Sequence, residues 1–105
     1  MTTTDQANAQ RLQALLERRQ RVADDATAAL AHGSRKAPRL YALLAELEDQ
    51  LESDHPRVVA ALLGQWATRD ANQLAGHQEG TVTACDYCQA ARAQNAAATP
   101  QARSA

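Results

Sequence analysis

The sequence lacks phenylalanine altogether, and its 105 residues include only one tryptophan, two tyrosines and one methionine. Its apolar residues are therefore mainly Leu, Val and Ala, and alanine buries little area when it packs. A chain of this length forms one domain at most. The composition thus predicts a single small core built from aliphatic side chains.

The chain also lacks a strong net charge and a long apolar run, and we do not expect its first residues to act as a secretory leader. Its formal net charge is −1, so no overall field attracts nucleic acid or an anionic membrane surface. No apolar run approaches the roughly 20 residues of a membrane-spanning helix. Residues 1–5 have neither the basic nor the apolar region of a signal peptide, and two cysteines without such a leader favour a reducing compartment. We therefore expect a cytoplasmic protein with no membrane partner.

Sequence motifs typical of enzymes are missing as well. There is no Gly-rich phosphate loop, no serine nucleophile elbow and no His-Glu-x-x-His helix. The acidic neighbours Asp24–Asp25 and Glu48–Asp49 point to different faces of a helix, so neither pair predicts an acid–base site. We expect a protein that is not an enzyme, without catalytic residues or an organic cofactor.

What the sequence does contain is helical periodicity. Apolar residues recur at three- and four-residue steps and predict helices at about 5–32, 38–53 and 56–75. The most regular stripe belongs to the second helix and consists of Leu40, Leu43, Leu44, Leu47 and Leu51. Trp66, the only large aromatic residue of the third helix, is expected to anchor the core with its indole N–H at the edge.

Glycines and prolines mark the ends of these helices. Gly33 is expected to end the first helix in a left-handed conformation, and Gly76 to end the third. Pro38 and Pro56 suit the first turns of the second and third helices. Short connections of this kind predict an antiparallel bundle.

Charge is unevenly distributed along the chain. Residues 1–39 hold seven basic and four acidic side chains, whereas residues 40–70 hold two basic and six acidic ones, so the two parts are expected to attract each other in the fold. Arg19 interrupts the apolar stripe of the first helix, and its aliphatic stem is expected to lie over the edge of the core. The basic loop Arg35–Arg39 is interpreted as a solvated connection, with a phosphate-contacting loop as the alternative.

The two cysteines form a Cys-x-x-Cys motif, Cys85 to Cys88. Thr83 and Asp86 resemble a capping box and predict a short helix at about 84–94 with Cys85 in its first turn. A helix N-terminus favours the thiolate. The motif is therefore compatible with half of a zinc site, with a dithiol redox switch, or with an inert pair.

A metal site would explain how this part of the chain becomes ordered. After Leu74 the only large apolar residues are Val82 and Tyr87, and segments without a core are often held by a metal ion. Structural zinc takes four ligands. We predict a zinc site formed by Cys85, Cys88, His77 and, as the fourth ligand, His55; His32, Asp86 or a residue of a second chain are the alternatives.

The residues around the Cys-x-x-Cys motif argue against two other uses of it, a thioredoxin-type redox site and a haem attachment site. No βαβ pattern surrounds it, which disfavours a thioredoxin-type site, and Gln89 in place of a histidine after Cys88 excludes c-type haem attachment.

The order of His77, Cys85 and Cys88 in a small helical protein resembles the zinc-containing anti-sigma factors, whose motif is His-x-x-x-Cys-x-x-Cys. Seven residues, instead of three, separate His77 from Cys85, and no earlier cysteine is present. The resemblance implies a helical regulator that binds a protein partner.

Together these patterns predict an all-α protein. Residues 1–92 are expected to form an antiparallel three-helix bundle with a short fourth helix that carries the Cys-x-x-Cys motif, and residues 93–105 a disordered tail. The predicted function is a small regulator or interaction protein that acts through a protein partner or as a homo-oligomer. The alternatives are a thiol redox switch at Cys85 and Cys88, and a nucleic-acid-binding regulator that uses the basic loop Arg35–Arg39.

Overall fold

The computed structural model describes residues 2–83, 85–86, 88–90 and 92–94. They form three long helices, α1 (Thr2–Ala31), α2 (Ala37–Asp54) and α3 (Pro56–Glu79), and a short fourth helix, α4 (Cys88–94). No strand occurs among the described residues. The predicted all-α class is therefore confirmed, with three long helices and a short fourth one at the cysteine motif.

The core lies where the three long helices face one another. One cluster of buried residues consists of Val22, Ala23, Leu44 and Leu47, and a second consists of Leu51, Val59 and Trp66. The predicted leucine stripe of α2 contributes to both clusters, with Leu44 and Leu47 in the first and Leu51 in the second. Trp66 is buried, as expected of a core anchor.

The α1–α2 connection is set by Gly33, which has a positive φ of 69°. The Ser34 N–H donates to the Ala29 carbonyl at 2.8 Å, and the Gly33 N–H donates to the Leu30 carbonyl at 3.3 Å. These two bonds make a Schellman motif, for which glycine is the favoured residue because it has no Cβ. The predicted end of the first helix is confirmed, and His32 is thereby fixed at the terminus of α1.

The α2–α3 connection is a single residue, His55. Its N–H donates to the Leu51 carbonyl at 2.7 Å, and its carbonyl accepts from the Val59 N–H at 3.1 Å. Pro56 follows in the first turn of α3, where proline needs no hydrogen-bond partner. This tight reversal makes α3 antiparallel to α2, so the C-terminal ends of α1 and α3 lie at the same end of the bundle.

The predicted end of the third helix, at about residue 75, is wrong. Helix α3 passes through Gly76 and continues to Glu79. The residue with the positive φ, 73°, is Gly80, and a second Schellman motif forms there: the Thr81 N–H donates to the Gly76 carbonyl at 2.9 Å, and the Gly80 N–H to the His77 carbonyl at 3.2 Å. His77 therefore belongs to the last turn of a helix and is held rigidly.

Gly76 has a different structural role. A Cβ atom at this position would lie 3.1 Å from Cγ2 of Val82, closer than side chains normally approach. The absence of a side chain thus lets the chain fold back onto α3 directly after the Schellman motif. This return brings the cysteine segment to the end of the bundle.

Arg19 was expected to lie over the edge of the core. It lies inside the core instead, with 1% of its surface exposed. Its Nη2 donates to Glu48 at 3.0 Å and to Asp70 at 2.7 Å, which belong to α2 and α3. The prediction that only the aliphatic stem would contact the core is wrong. The whole side chain can be buried because partners from two other helices neutralise its charge. These ion pairs are an instance of the predicted attraction between the basic and acidic parts of the chain.

The structure describes only the start of the predicted disordered tail. Residues 93–94 of that tail are helical, contrary to the prediction. The rest, residues 95–105, lies outside the described residues.

Within the described helices, no segment has both the length and the apolar character needed to cross a bilayer.

Candidate metal centre

Four side chains with metal-binding atoms meet at one end of the bundle. His32 lies at the terminus of α1, His77 in the last turn of α3, Cys85 in the turn before α4, and Cys88 in α4. Their donor atoms all lie within 4.8 Å of one another. The four residues, called here the His₂Cys₂ cluster, form a group that could hold a metal ion.

Three distances within the His₂Cys₂ cluster match those of a tetrahedral site. The Cys88 sulfur lies 3.5 Å from Nε2 of His32 and 3.6 Å from Nδ1 of His77, and the Cys85 sulfur lies 3.6 Å from Nε2 of His32. Zinc bonds of about 2.3 Å to sulfur and about 2.05 Å to nitrogen, at tetrahedral angles, separate N and S by roughly 3.5–3.6 Å. These three pairs of donor atoms are thus spaced as ligands of one ion, and all four donor atoms lie within 4.8 Å of one another.

The cluster is largely shielded from solvent. Cys88 has 0% and His77 4% of its surface exposed, whereas His32 and Cys85 are half-buried. The two imidazole rings meet edge to face, with centroids 5.5 Å apart and an interplanar angle of 82°. This perpendicular arrangement lets one nitrogen of each ring point to the same sulfur.

Burial favours the neutral forms of His77 and Cys88. It lowers the pKa of His77, and the nearby His32 lowers it further, although Asp24 acts in the opposite direction. Burial also raises the pKa of the Cys88 thiol, despite a backbone hydrogen bond at Val82 that favours the thiolate. A divalent cation would reverse this preference at the thiol, because metal ligation requires the thiolate.

Hydrogen bonds to the turn place the two cysteines. The Cys85 carbonyl accepts from the Gln89 N–H at 3.0 Å, and the Cys85 N–H donates to the Val82 carbonyl at 3.3 Å. The predicted position of Cys85 in the first turn of the helix is wrong, because Cys85 is not itself helical and lies just before the helix. Gln89 also holds the turn through its side chain, which donates to the Thr83 carbonyl at 2.6 Å.

A further bond ties α4 to the end of α3. The Arg92 guanidinium donates to the Gly80 carbonyl at 2.8 Å. This bond links Gly80, the left-handed residue of the second Schellman motif, to α4. Together with Gln89, Arg92 defines where the cysteines lie relative to His77.

Of the four predicted ligands, the structure brings together Cys85, Cys88 and His77. It does not bring His55 to them. His55 lies at the α2–α3 junction, and a rise of about 1.5 Å per residue along α3 puts it roughly 33 Å from His77. Within one chain it cannot complete the site, and His32, one of the alternatives, lies in the fourth position.

The position of His32 could have been found from topology. Three helices joined by short connections run up, down and up, so the C-terminal ends of the first and third meet. A histidine near each of those ends is therefore brought to the same place. The sequence signal was the pair of glycines, Gly33 and Gly80, that follow His32 and His77 closely.

The basic loop joins α1 to α2 at the surface. Arg35, Lys36 and Arg39 are all exposed at the α1–α2 connection. The Lys36 N–H donates to the Ser34 hydroxyl at 3.2 Å, which is a local turn contact. These observations describe a solvated connection and add no base-reading or phosphate-binding geometry.

Comparison with known proteins adds no relative of this chain. No family model, no curated protein and no solved structure matches it. The chemical character of the site therefore rests on the His₂Cys₂ cluster itself.

Proposed function

We propose that this chain is a small non-enzymatic interaction protein whose C-terminal segment is held in place by a structural zinc ion. The observation that carries the proposal is the meeting of His32, His77, Cys85 and Cys88, with N–S distances of 3.5–3.6 Å. These residues come from the ends of α1 and α3 and from the segment at α4, and the three distances are those expected between ligands of one tetrahedral zinc ion.

The donor set favours zinc over other common ions. Calcium and magnesium prefer oxygen ligands, whereas mixed imidazole and thiolate ligands in a tetrahedron are typical of zinc. Four protein donors fill a tetrahedral shell and leave no coordination position for water or substrate. The same feature supports a structural role and an interaction protein in preference to a metalloenzyme.

The ion would supply what the C-terminal segment lacks in packing. In residues 81–94, Cys88 is the one buried residue among those described, and Val82 is half-buried. Ligand binding to the folded state contributes directly to folding free energy. The bundle itself has two apolar clusters, so we expect it to remain folded without the ion while the segment loosens.

The role in interaction follows from what the ion would hold in place. A fixed α4 gives the end of the bundle a defined surface, which a protein partner or a second copy of the chain can recognise. This regulator or interaction role agrees with the class implied by the resemblance to zinc-containing anti-sigma factors. Light scattering with and without zinc measures whether a second copy is the partner.

Elemental analysis of protein purified without chelator tests the zinc site. We expect about one zinc ion per chain, with loss of the ion in Cys85→Ser and Cys88→Ser and weaker binding in His32→Ala and His77→Ala. His55→Ala is the matched control and should retain the ion. Metal-free protein that forms a reversible Cys85–Cys88 disulfide would support the redox alternative instead, and equal zinc loss in His55→Ala would contradict the ligand set.

A further inference from the structure

The His₂Cys₂ cluster opens on one side into a cavity of about 400 Å³. It is lined by His77 and Cys85 of the cluster together with Asp24 and Asp25 of α1 and Asp86 beside α4. His77 is buried and Cys85 half-buried, whereas Asp25 and Asp86 are exposed. Of the described residues, no lysine or arginine lines this cavity. A solvent-connected cavity with carboxylates outside and a thiol and an imidazole inside is suited to a cation.

A second cavity at the cluster has a different character. It is smaller, about 180 Å³, and is lined by His32, His77, Glu79 and Arg92. The Arg92 guanidinium is held in position by its bond to the Gly80 carbonyl, at 2.8 Å. Its positive charge offsets that of the Glu79 carboxylate, whereas three carboxylates line the larger cavity, so the two cavities are not electrostatically equivalent.

The three carboxylates of the larger cavity also differ from one another. Asp24 pairs with Arg69 at 3.4 Å and accepts from the Gln20 amide at 2.9 Å, so its charge is partly offset. Asp25 and Asp86 are exposed and lie on opposite elements, one on α1 and one beside α4. They therefore add negative potential where the cavity meets solvent, and Lys36, which lines a neighbouring cavity with Asp25, offsets part of it on the α1 side.

The cysteines are reached in a defined order from this side. Cys85 is half-buried and lines the cavity, whereas Cys88 has 0% of its surface exposed. An ion that enters past Asp25 and Asp86 meets the Cys85 sulfur and His77 first. It can then complete its shell with Cys88 and His32 without unfolding of the bundle.

We infer that Asp25 and Asp86 form the entrance through which a divalent cation reaches the His₂Cys₂ cluster in the folded protein. This inference rests on the proposed metal site and adds that the site exchanges its ion with solution. The two carboxylates act as positioning residues for the incoming ion and are not ligands in the final complex. Electrostatic steering of this kind changes association rates and depends on salt.

Stopped-flow loading of the chelator-treated full chain with Co²⁺ tests the inference, since tetrahedral cobalt thiolates absorb visible light. We expect the double variant Asp25→Asn/Asp86→Asn to bind about threefold to tenfold more slowly than the parent at low salt. The difference should vanish near 1 M salt, where the Debye length is about 3 Å. Asp49→Asn/Glu52→Gln removes two exposed charges from α2 and should leave the rate unchanged.

The outcomes separate the inference from the proposed function. A parent chain without a cobalt–thiolate spectrum would remove the metal site itself. A normal spectrum with equal loading rates in the parent and the Asp25→Asn/Asp86→Asn variant would overturn the entrance alone. An altered final spectrum in that variant would also overturn it, because the carboxylates would then take part in ligation, whereas Asp25→Glu/Asp86→Glu should restore the parent rate.

Discussion

The guanidinium of Arg19 lies over the indole ring of Trp66, with Cζ 4.2 Å from the ring centroid. Its nitrogens donate to Glu48 of α2 and Asp70 of α3, so one side chain of α1 contacts both other long helices. Buried ion pairs are costly to desolvate and add little net stability, but removing one partner leaves charge without compensation. Arg19 thus links all three long helices through the contacts of one side chain.

Arg19→Leu should destabilise the bundle. The substitution leaves Glu48 and Asp70 without their cation, but both carboxylates are partly exposed and can be hydrated. We therefore expect the free energy of unfolding to fall by about 1–3 kcal/mol, measured by urea denaturation. Arg18→Leu, at an exposed neighbouring position, should change it by less than about 0.5 kcal/mol. Equal stability of the two variants would contradict a stabilising role for the Arg19 contacts.

Gly76→Ala and Gly64→Ala form a second pair of variants with opposite expected effects. Both glycines lie inside α3, where alanine is favoured by about 1 kcal/mol. Nothing lies within 4 Å of a Cβ placed at Gly64, whereas one at Gly76 would meet Val82 at 3.1 Å. We expect Gly64→Ala to raise the melting temperature and leave zinc affinity unchanged.

Gly76→Ala should instead displace Val82 and the turn that carries Cys85. Zinc affinity, measured by competition with a chelator, should then fall severalfold, while the helix content remains that of the parent. Parent-like zinc affinity in Gly76→Ala would show that the return of the chain over α3 is not needed for the site.

The fold was predictable because its determinants are local. The three- and four-residue periodicity of Leu40 to Leu51 and the left-handed glycine at Gly33 depend on residues close in sequence. The end of α3 was missed because either of two glycines, Gly76 or Gly80, could end the helix. Only the path of the chain beyond them shows that Gly80 has the positive φ.

The site was predictable only in part, because its members depend on tertiary contacts. The spacing of Cys85 and Cys88 indicates a metal or redox motif, and His77 is close to it in sequence. His32 comes from α1, and its selection over His55 follows from helix direction and not from sequence distance. The burial of Arg19 was missed for the same reason, since its partners Glu48 and Asp70 lie on other helices.

Tyr41 should make the stability of the bundle sensitive to alkaline pH. It is half-buried against the cluster of Val22, Ala23, Leu44 and Leu47, and burial, followed by the charge of Asp70, raises its pKa above the ordinary value of 10.0. The unfolded chain then loses the phenolic proton at a lower pH than the folded chain does. The stabilising contribution is therefore complete below pH 10 and is lost as the pH rises through the raised pKa.

Urea denaturation of the parent and of Tyr41→Phe over a series of alkaline pH values measures this contribution. Phenylalanine keeps the ring in the core but cannot ionise, so the free energy of unfolding of the variant should fall less steeply above pH 10. All other titratable groups are the same in both proteins, so the difference between the two curves isolates Tyr41. Parallel curves would mean that the phenol ionises at the same pH in the folded and unfolded chains, and that Asp70 does not act on it through the core.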